Sequence, residues 1–183
     1  MERIAAAVLA AGAGRRMGRP KAEIVIAGER LIDRAVRLAR QAGCEPVIAV
    51  VRDATVVNGA VPVVNPAPER GMRSSLSLAA DAAGQSPALA VLLVDAPGLN
   101  ADAIRAVVDA WRPGRIAVGR YASGRGHPTV MSPQLWRAAL EVAGPDEGAR
   151  TYLAEHSELV DEVDVPGEPG DLDTPDDLAR WQR

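Results

Sequence analysis

Gly12, Gly14 and Gly18 are interleaved with Arg15, Arg16, Arg19 and Lys21, directly after an apolar run that ends at Leu9. Glycines permit positive φ and remove the side chains that would keep a ligand from backbone N–H groups, and amides grouped in this way form anion-binding concavities. Four cations beside such a bend point to a polyphosphate as the guest. Two common phosphate loops do not fit. The dinucleotide fingerprint G-x-G-x-x-G needs glycine where the chain has Met17, and Pro20 keeps a helix from opening directly. A Walker A loop needs Gly-Lys-Ser/Thr, whereas Gly18 is followed by Arg19-Pro20.

The pattern that remains, L-A-A-G-x-G-x-R-M-G-x-x-K over Leu9 to Lys21, resembles the signature loop of the nucleotidyltransferases that act on the molybdenum cofactor, the MobA-like NTP transferase family. The resemblance continues through Asn65-Pro66, Gly71-Met72 with Ser74-Ser75-Leu76, Asp95 with Pro97, Gly126-His127-Pro128, Asp146 to Arg150, and Asp173-Thr174-Pro175 with Asp177-Leu178, in the order of the molybdenum-cofactor cytidylyltransferases. It implies transfer of CMP from CTP to the phosphate of molybdopterin cofactor, with release of pyrophosphate. It also implies Mg²⁺ as the required ion and a molybdoenzyme of the xanthine dehydrogenase type as recipient. By this resemblance Ala10, Ala11 and Gly12 approach the base and ribose through backbone groups, Asn65 and Ser75 bind the nucleotide, and His127 and Arg150 lie in the later segments that face the pterin.

Nucleotidyl transfer needs the triphosphate charge neutralised, a magnesium ion bridging phosphates, and the nucleophile held in line with the α-phosphorus. Arg16 suits a bidentate clamp on phosphate and Lys21 a point charge, and with Asp95 they are the expected catalytic set. Magnesium takes oxygen ligands and keeps several waters, so two carboxylates suffice; Asp95 and Asp173 are the expected pair. No general base is required, because a phosphate monoester is already largely ionised at neutral pH. Plainer roles stand beside these. Asp95 is also suited to a turn or helix cap, Asp173 to a charge serving the last helix, and His127 to shaping the turn before Pro128.

Ala11 bears on the nucleotide. Guanylyl-transferring relatives usually carry two glycines there, and a second glycine leaves more room for a purine, so Ala-Ala-Gly favours CTP. Two departures from the family pattern stand out. Val94 replaces the glycine usual before the metal aspartate, narrowing the room at base or ribose, and Ala22-Glu23 puts charge on a segment expected to be buried. The alternatives are guanylyl transfer to the same cofactor, cytidylyl transfer to another phosphorylated metabolite, or a non-catalytic chaperone that delivers the cofactor.

The elements that must position these residues alternate strand and helix, as in α/β folds with a mostly parallel sheet, and the resemblance implies a Rossmann-like three-layer fold of the nucleotide-diphospho-sugar transferase type. Expected strands are Ile4 to Leu9, Glu23 to Ala27, Pro46 to Val51, Val61 to Asn65, Leu89 to Val94, Arg115 to Gly119, Thr129 to Met131, and an acidic, half-exposed edge at Leu159 to Val165. Asp95 thus sits at the carboxyl end of the most apolar strand, the edge where ligands bind in open α/β sheets. Helices are expected from Leu31 to a stop at Gly43, from Gly71 to about Gly84, and from about Ala101 to Trp111. Three more follow: after Ser132-Pro133, from Arg150 to about His156, and after Thr174-Pro175, with Ser132 and Thr174 as caps. Tyr121 to His127 reads as a Gly, Ser and Arg-rich loop that could lie over a substrate.

Composition narrows the classes. The 183 residues suit one nucleotidyltransferase domain with a sizeable core, 48% are hydrophobic, and the formal charge of −3 argues against a nucleic-acid-coating protein. No Phe and few aromatics leave no platform for stacking on single strands. The N-terminus opens with a strand pattern and no apolar run reaches membrane-spanning length, so a cytoplasmic protein is expected, with no nucleic-acid or membrane partner. The lone Cys44 excludes an internal disulfide and reads as a small residue between a helix end and a strand.

Overall fold

The computed structural model describes residues 3–182. In chain order the strands are β1 (Ala5–Leu9), β2 (Val25–Ile26), β3 (Glu29–Arg30), β4 (Val47–Val51), β5 (Val61–Val64), β6 (Leu89–Leu93), β7 (Ile116–Tyr121), β8 (Gly124–Met131) and β9 (Val160–Asp164). The helices are α1 (Leu31–Gln41), α2 (Met72–Ala82), α3 (Ala101–Ala110), α4 (Pro133–Val142), α5 (Arg150–Glu155) and α6 (Pro175–Trp181). Seven strands form one sheet in the order β5-β4-β1-β6-β8-β7-β9, and only the β8 pairings are antiparallel.

The alanines of β1 have a packing reason. Every residue from Ala5 to Val8 is fully buried because both faces of the central strand are covered. Ala6 and Val8 pack in one cluster with Ile32, Val36, Ile104 and Val107 of α1 and α3. Ala5, Ala7 and Leu9 pack in the other with Leu76, Ala79, Trp136 and Leu140 of α2 and α4. The expected three-layer α/β architecture is present. Small side chains in β1 let helices on both faces approach a strand whose carboxyl end carries the glycine bend.

The stop signals act as expected. The Gly43 N–H bonds the Arg40 carbonyl and the Cys44 N–H bonds Ala39, closing α1 in a Schellman motif. Ser132 accepts a hydrogen bond from the Leu135 N–H at 3.2 Å, and Thr174 with Asp177 forms a capping box at α6. Burial pushes the Cys44 thiol up to about 12, with Asp109 acting in the same direction, as suits a packing residue.

Two expectations need correction. The segment expected as a strand over Glu23 to Ala27 is a 3₁₀ turn at Lys21–Glu23 followed by the β2–β3 hairpin, whose turn residues Ala27 and Gly28 both have positive φ. The expected loop over Tyr121 to His127 is instead the tight end of the β7–β8 hairpin, with Arg120 opposite Arg125 and Tyr121 opposite Gly124. Carboxylates of β9 and beyond neutralise this Arg-rich strand end: Asp164 takes Arg120 and Glu162 takes Arg125, each at 2.6 Å. Ser123 donates to Glu168, also at 2.6 Å.

Candidate active site

After β1 the chain makes one 3₁₀ turn at Arg15–Met17, bracketed by Gly14 and Gly18 at φ 60° and 70°. A Cβ on Gly14 would run into the Arg19 carbonyl oxygen, so glycine is what lets this bend close on itself. A Cβ on Gly12, by contrast, would meet nothing within 4 Å. The backbone there faces open space that a ligand can occupy. Met17, Ala22 and Ile24 are buried and hold the following turn against the core, while Glu23 points outward to Arg30 at 3.2 Å. The charge at Glu23 therefore does not enter the core, and the turn carries Lys21 inward.

Lys21 is the hinge of the site. Its side chain is 18% exposed, and Nζ donates to Asp95 Oδ2 at 2.8 Å and Asp173 Oδ1 at 2.6 Å. Burial alone would lower the ammonium's pKa, but the hydrogen bonds to Asp173 and Asp95 outweigh it and raise it above the ordinary lysine value. The same hydrogen bond, and then the ammonium's charge, hold the Asp173 carboxyl below the usual aspartate range. Arg16 reaches Asp173 at 3.4 Å and is otherwise exposed, free to turn toward a phosphate.

Neither aspartate is occupied by capping. Asn100, whose side chain accepts from Ala103 N–H at 2.8 Å, caps α3 and relieves Asp95. Asp177 accepts from the Thr174 N–H and hydroxyl and from the Asp173 N–H, so it serves α6 and leaves the Asp173 carboxylate facing Lys21. The Leu172 N–H donates to the Asp95 carbonyl at 3.0 Å, tying together chain segments far apart in sequence.

Ala11, Gly12, Arg16, Lys21, Ser75, Asp95, Arg150 and Asp173 line one cavity of about 870 Å³ at the carboxyl edge of the parallel strands. Three other expected residues lie outside its lining. Ala10 is packed in the core and its N–H is taken by the Val50 carbonyl. Asn65 is buried behind the wall, where Nδ2 donates to Ser74 Oγ at 2.8 Å and Ser75 Oγ at 3.0 Å while Oδ1 accepts from the Ala67 N–H. It orients the serine that the cavity sees. His127 places Nδ1 3.1 Å from the Val91 carbonyl, so that nitrogen carries the proton; burial lowers the ring's pKa, against the pull of that carbonyl and of Asp95 and Asp171.

Arg52 and Glu69 also line the cavity, although neither stands out in the sequence reading. Arg52 follows β4 as Asp95 follows β6, so the carboxyl-edge rule applied to every strand finds it. Its Nε is buried without a hydrogen-bond partner among the described residues. Asp146 accepts from the Met72 N–H at 3.3 Å, docking the segment that carries Arg150 against the start of α2.

The donor set suits a hard divalent cation. Two carboxylates converge on one positive nitrogen, and among the described residues no group of three or more His, Cys, Asp or Glu is placed to hold an ion. Such a pair matches an ion that takes its other ligands from water and phosphate.

Comparison with known proteins gives the family. Residues 6–160 match the MobA-like NTP transferase domain model. The chain is 36% identical to the nicotine blue oxidoreductase of Paenarthrobacter nicotinovorans, covering 94% of this chain and 93% of that protein. It is 33% identical to a molybdenum cofactor guanylyltransferase of Rhizobium johnstonii, covering 98% and 92% respectively. Among solved structures, Rv0371c from Mycobacterium tuberculosis superposes with a TM-score of 0.85 at 27% identity over 99% of this chain and 98% of that one. A complex of the same protein with manganese gives 0.81 at 28% identity, covering 98% of each chain. With residues 6–160 matched by the family model and relatives above 30% identity over nearly the whole chain, the chain belongs to the MobA-like NTP transferase family.

Proposed function

We propose that this chain is one nucleotidyltransferase domain that moves a nucleotidyl group from a nucleoside triphosphate to the phosphate of molybdopterin cofactor, releasing pyrophosphate. The observation that carries the reading is the convergence of Lys21, Asp95 and Asp173 beside the glycine bend in one cavity. Nucleotidyl transfer needs a place where polyphosphate and a divalent cation meet, and catalysis there is positioning plus charge stabilisation. Relatives named molybdenum cofactor guanylyltransferase support the acceptor, and the manganese complex of Rv0371c supports a divalent ion.

Asp95 and Asp173 would hold Mg²⁺, which when bound neutralises phosphate charge. The backbone at Gly12 offers close approach, Arg16 clamps phosphate, and Lys21 exchanges its carboxylate partners for phosphate oxygens as the nucleotide enters. Ser75, fixed by Asn65, faces the nucleotide, and Arg150 faces the acceptor. CTP is the donor favoured by Ala11, a residue of the cavity wall where a second glycine would leave more room for a purine; GTP is the donor that the relatives' names favour. Such an enzyme would work in the cytoplasm and hand its product to a molybdoenzyme.

Pyrophosphate release tests the reading, measured with each nucleoside triphosphate, Mg²⁺ and molybdopterin cofactor, for the natural protein and Asp95→Ala. Release with one nucleotide and its loss in the variant is the expected result. Equal rates for the two proteins would remove Asp95 from the mechanism. The 36% identity to a protein named nicotine blue oxidoreductase favours a second reading, in which the same cavity serves an oxidoreductase. Oxidation of NADH or NADPH without pyrophosphate release would select it; hydride transfer has no need of the paired carboxylates.

A further inference from the structure

Resting on that reading, we infer that Gly98 is a positioning residue for the metal pair: it is the seat on which the segment 166–173 docks, and that docking sets where Asp173 stands relative to Asp95. Asp95 stands two residues past the end of β6, close to the sheet. Asp173 comes from a segment with no strand or helix of its own between β9 and α6, so its position depends on what that segment is pinned to.

The pins converge on the Asp95 turn. The Gly98 N–H donates to the Pro169 carbonyl at 2.7 Å, Leu172 N–H to the Asp95 carbonyl at 3.0 Å, and Asn100 Nδ2 to the Pro166 carbonyl at 3.1 Å. Leu172, fully buried, plugs the segment into the core one residue before the carboxylate. Gly98 makes this approach possible. A Cβ there would stand 2.8 Å from the Trp181 ring and 2.9 Å from the Pro169 carbonyl oxygen, and closer still to that of Glu168. Two of the three obstacles are backbone, so no rotamer change relieves them, and Gly98 is not at positive φ, so its requirement is contact rather than turn geometry. Any side chain at 98 lifts residues 168–170 and carries Asp173 away from Lys21 and Asp95.

The test uses the whole protein and Mn²⁺ as probe, with bound ion measured by electron paramagnetic resonance in the presence of nucleoside triphosphate. Gly98→Ala, Asp173→Asn and the natural protein are compared, with circular dichroism as the check on folding. Gly98→Ala is expected to weaken Mn²⁺ binding about tenfold, to approach Asp173→Asn, and to raise the metal concentration needed for half-maximal turnover more than it lowers the turnover number. Tight binding by the natural protein, loss in Asp173→Asn and natural affinity in Gly98→Ala would overturn the inference while leaving the function standing. Equal binding by the natural protein and Asp173→Asn would instead sink the functional reading beneath it. Should Gly98→Ala fail to fold, Gly167→Ala takes its place. Gly167 is exposed at φ 86°, and a Cβ there would press on the Asn100 side chain that pins the segment. Weakened Mn²⁺ binding in that folded variant supports docking as the determinant, and unchanged binding refutes it.

Discussion

Replacing Lys21 with methionine keeps the unbranched apolar stem and removes the charged nitrogen on which Asp95 and Asp173 converge. Their oxygens lie 2.8 and 2.6 Å from the same nitrogen, so laid end to end they are no more than about 5.4 Å apart. Two negative charges at that distance repel by about 0.8 kcal/mol in bulk water and about 3 kcal/mol at the effective dielectric of a partly buried site. Because Asp173 is 47% exposed, the lower half of that range applies to the repulsion. Adding the lost charge-assisted hydrogen bonds, Lys21→Met should destabilise the protein by roughly 1–3 kcal/mol near neutral pH. The sign with pH follows from the shifts. Asp173, lowered by Lys21, contributes stability that is present above its unfolded value and lost as pH falls through its folded pKa. Lys21, raised, contributes stability present below its unfolded value and lost as pH rises through its folded pKa. The gap between variant and natural protein is therefore widest between these limits and closes toward acid. Millimolar Mg²⁺ should restore part of it, since a divalent ion can take the place of the ammonium between the carboxylates. Urea unfolding with and without Mg²⁺ across pH is the assay. A gap that is flat with pH and indifferent to Mg²⁺ would refute the claim that the three side chains form one electrostatic unit.

Asn65→Ala should cost about 1–3 kcal/mol in urea unfolding, because it strands the Ser75 hydroxyl and the Ala67 N–H while Ser74 keeps its bond to the Gly71 carbonyl, and should raise the KM for nucleotide more than it lowers kcat. Unchanged KM in a folded variant would show that Ser75 does not depend on it. Cys44, buried with its thiol pushed up to about 12, should resist alkylation by iodoacetamide in the native protein and react once it is denatured; rapid native labelling would contradict the packing. Burial lowers the His127 pKa, so its contribution to stability is present above the ordinary histidine value and falls as pH drops through that value toward its lowered folded pKa. Comparing urea midpoints of the natural protein and His127→Asn across this window checks it, with a gap that shrinks toward acid expected and a constant gap refuting it.

The fold was legible where local signals and burial agree. The apolar runs of β1, β4 and β6, the Gly43 stop and the caps at Ser132 and Thr174 each declare themselves within a few residues. The two strands of the β7–β8 hairpin were legible but its tip was not, because Arg120 and Arg125 look like loop residues until Asp164 and Glu162 arrive from far along the chain to neutralise them. Lys21 shows the same division within the site. Its charge and its place in the bend are local facts, but its two partners come from the end of β6 and from the segment before α6. Asp173 could not be told from its acidic neighbours by spacing alone; the capping box that engages Asp177 leaves it facing the cavity. Arg52 carries no pattern of its own and is legible only through its place at the carboxyl end of β4; the cavity then brings it beside the glycine bend.

The central claim is that the glycine bend and two distant carboxylates enclose one metal-bound nucleoside triphosphate. Crystals grown with Mn²⁺ and a nucleoside triphosphate, measured for anomalous scattering, test it most directly. The account predicts a manganese peak touching Asp95 and Asp173, with the triphosphate against Gly12 and Arg16. A peak elsewhere, or nucleotide bound with neither aspartate in contact with the ion, would contradict it.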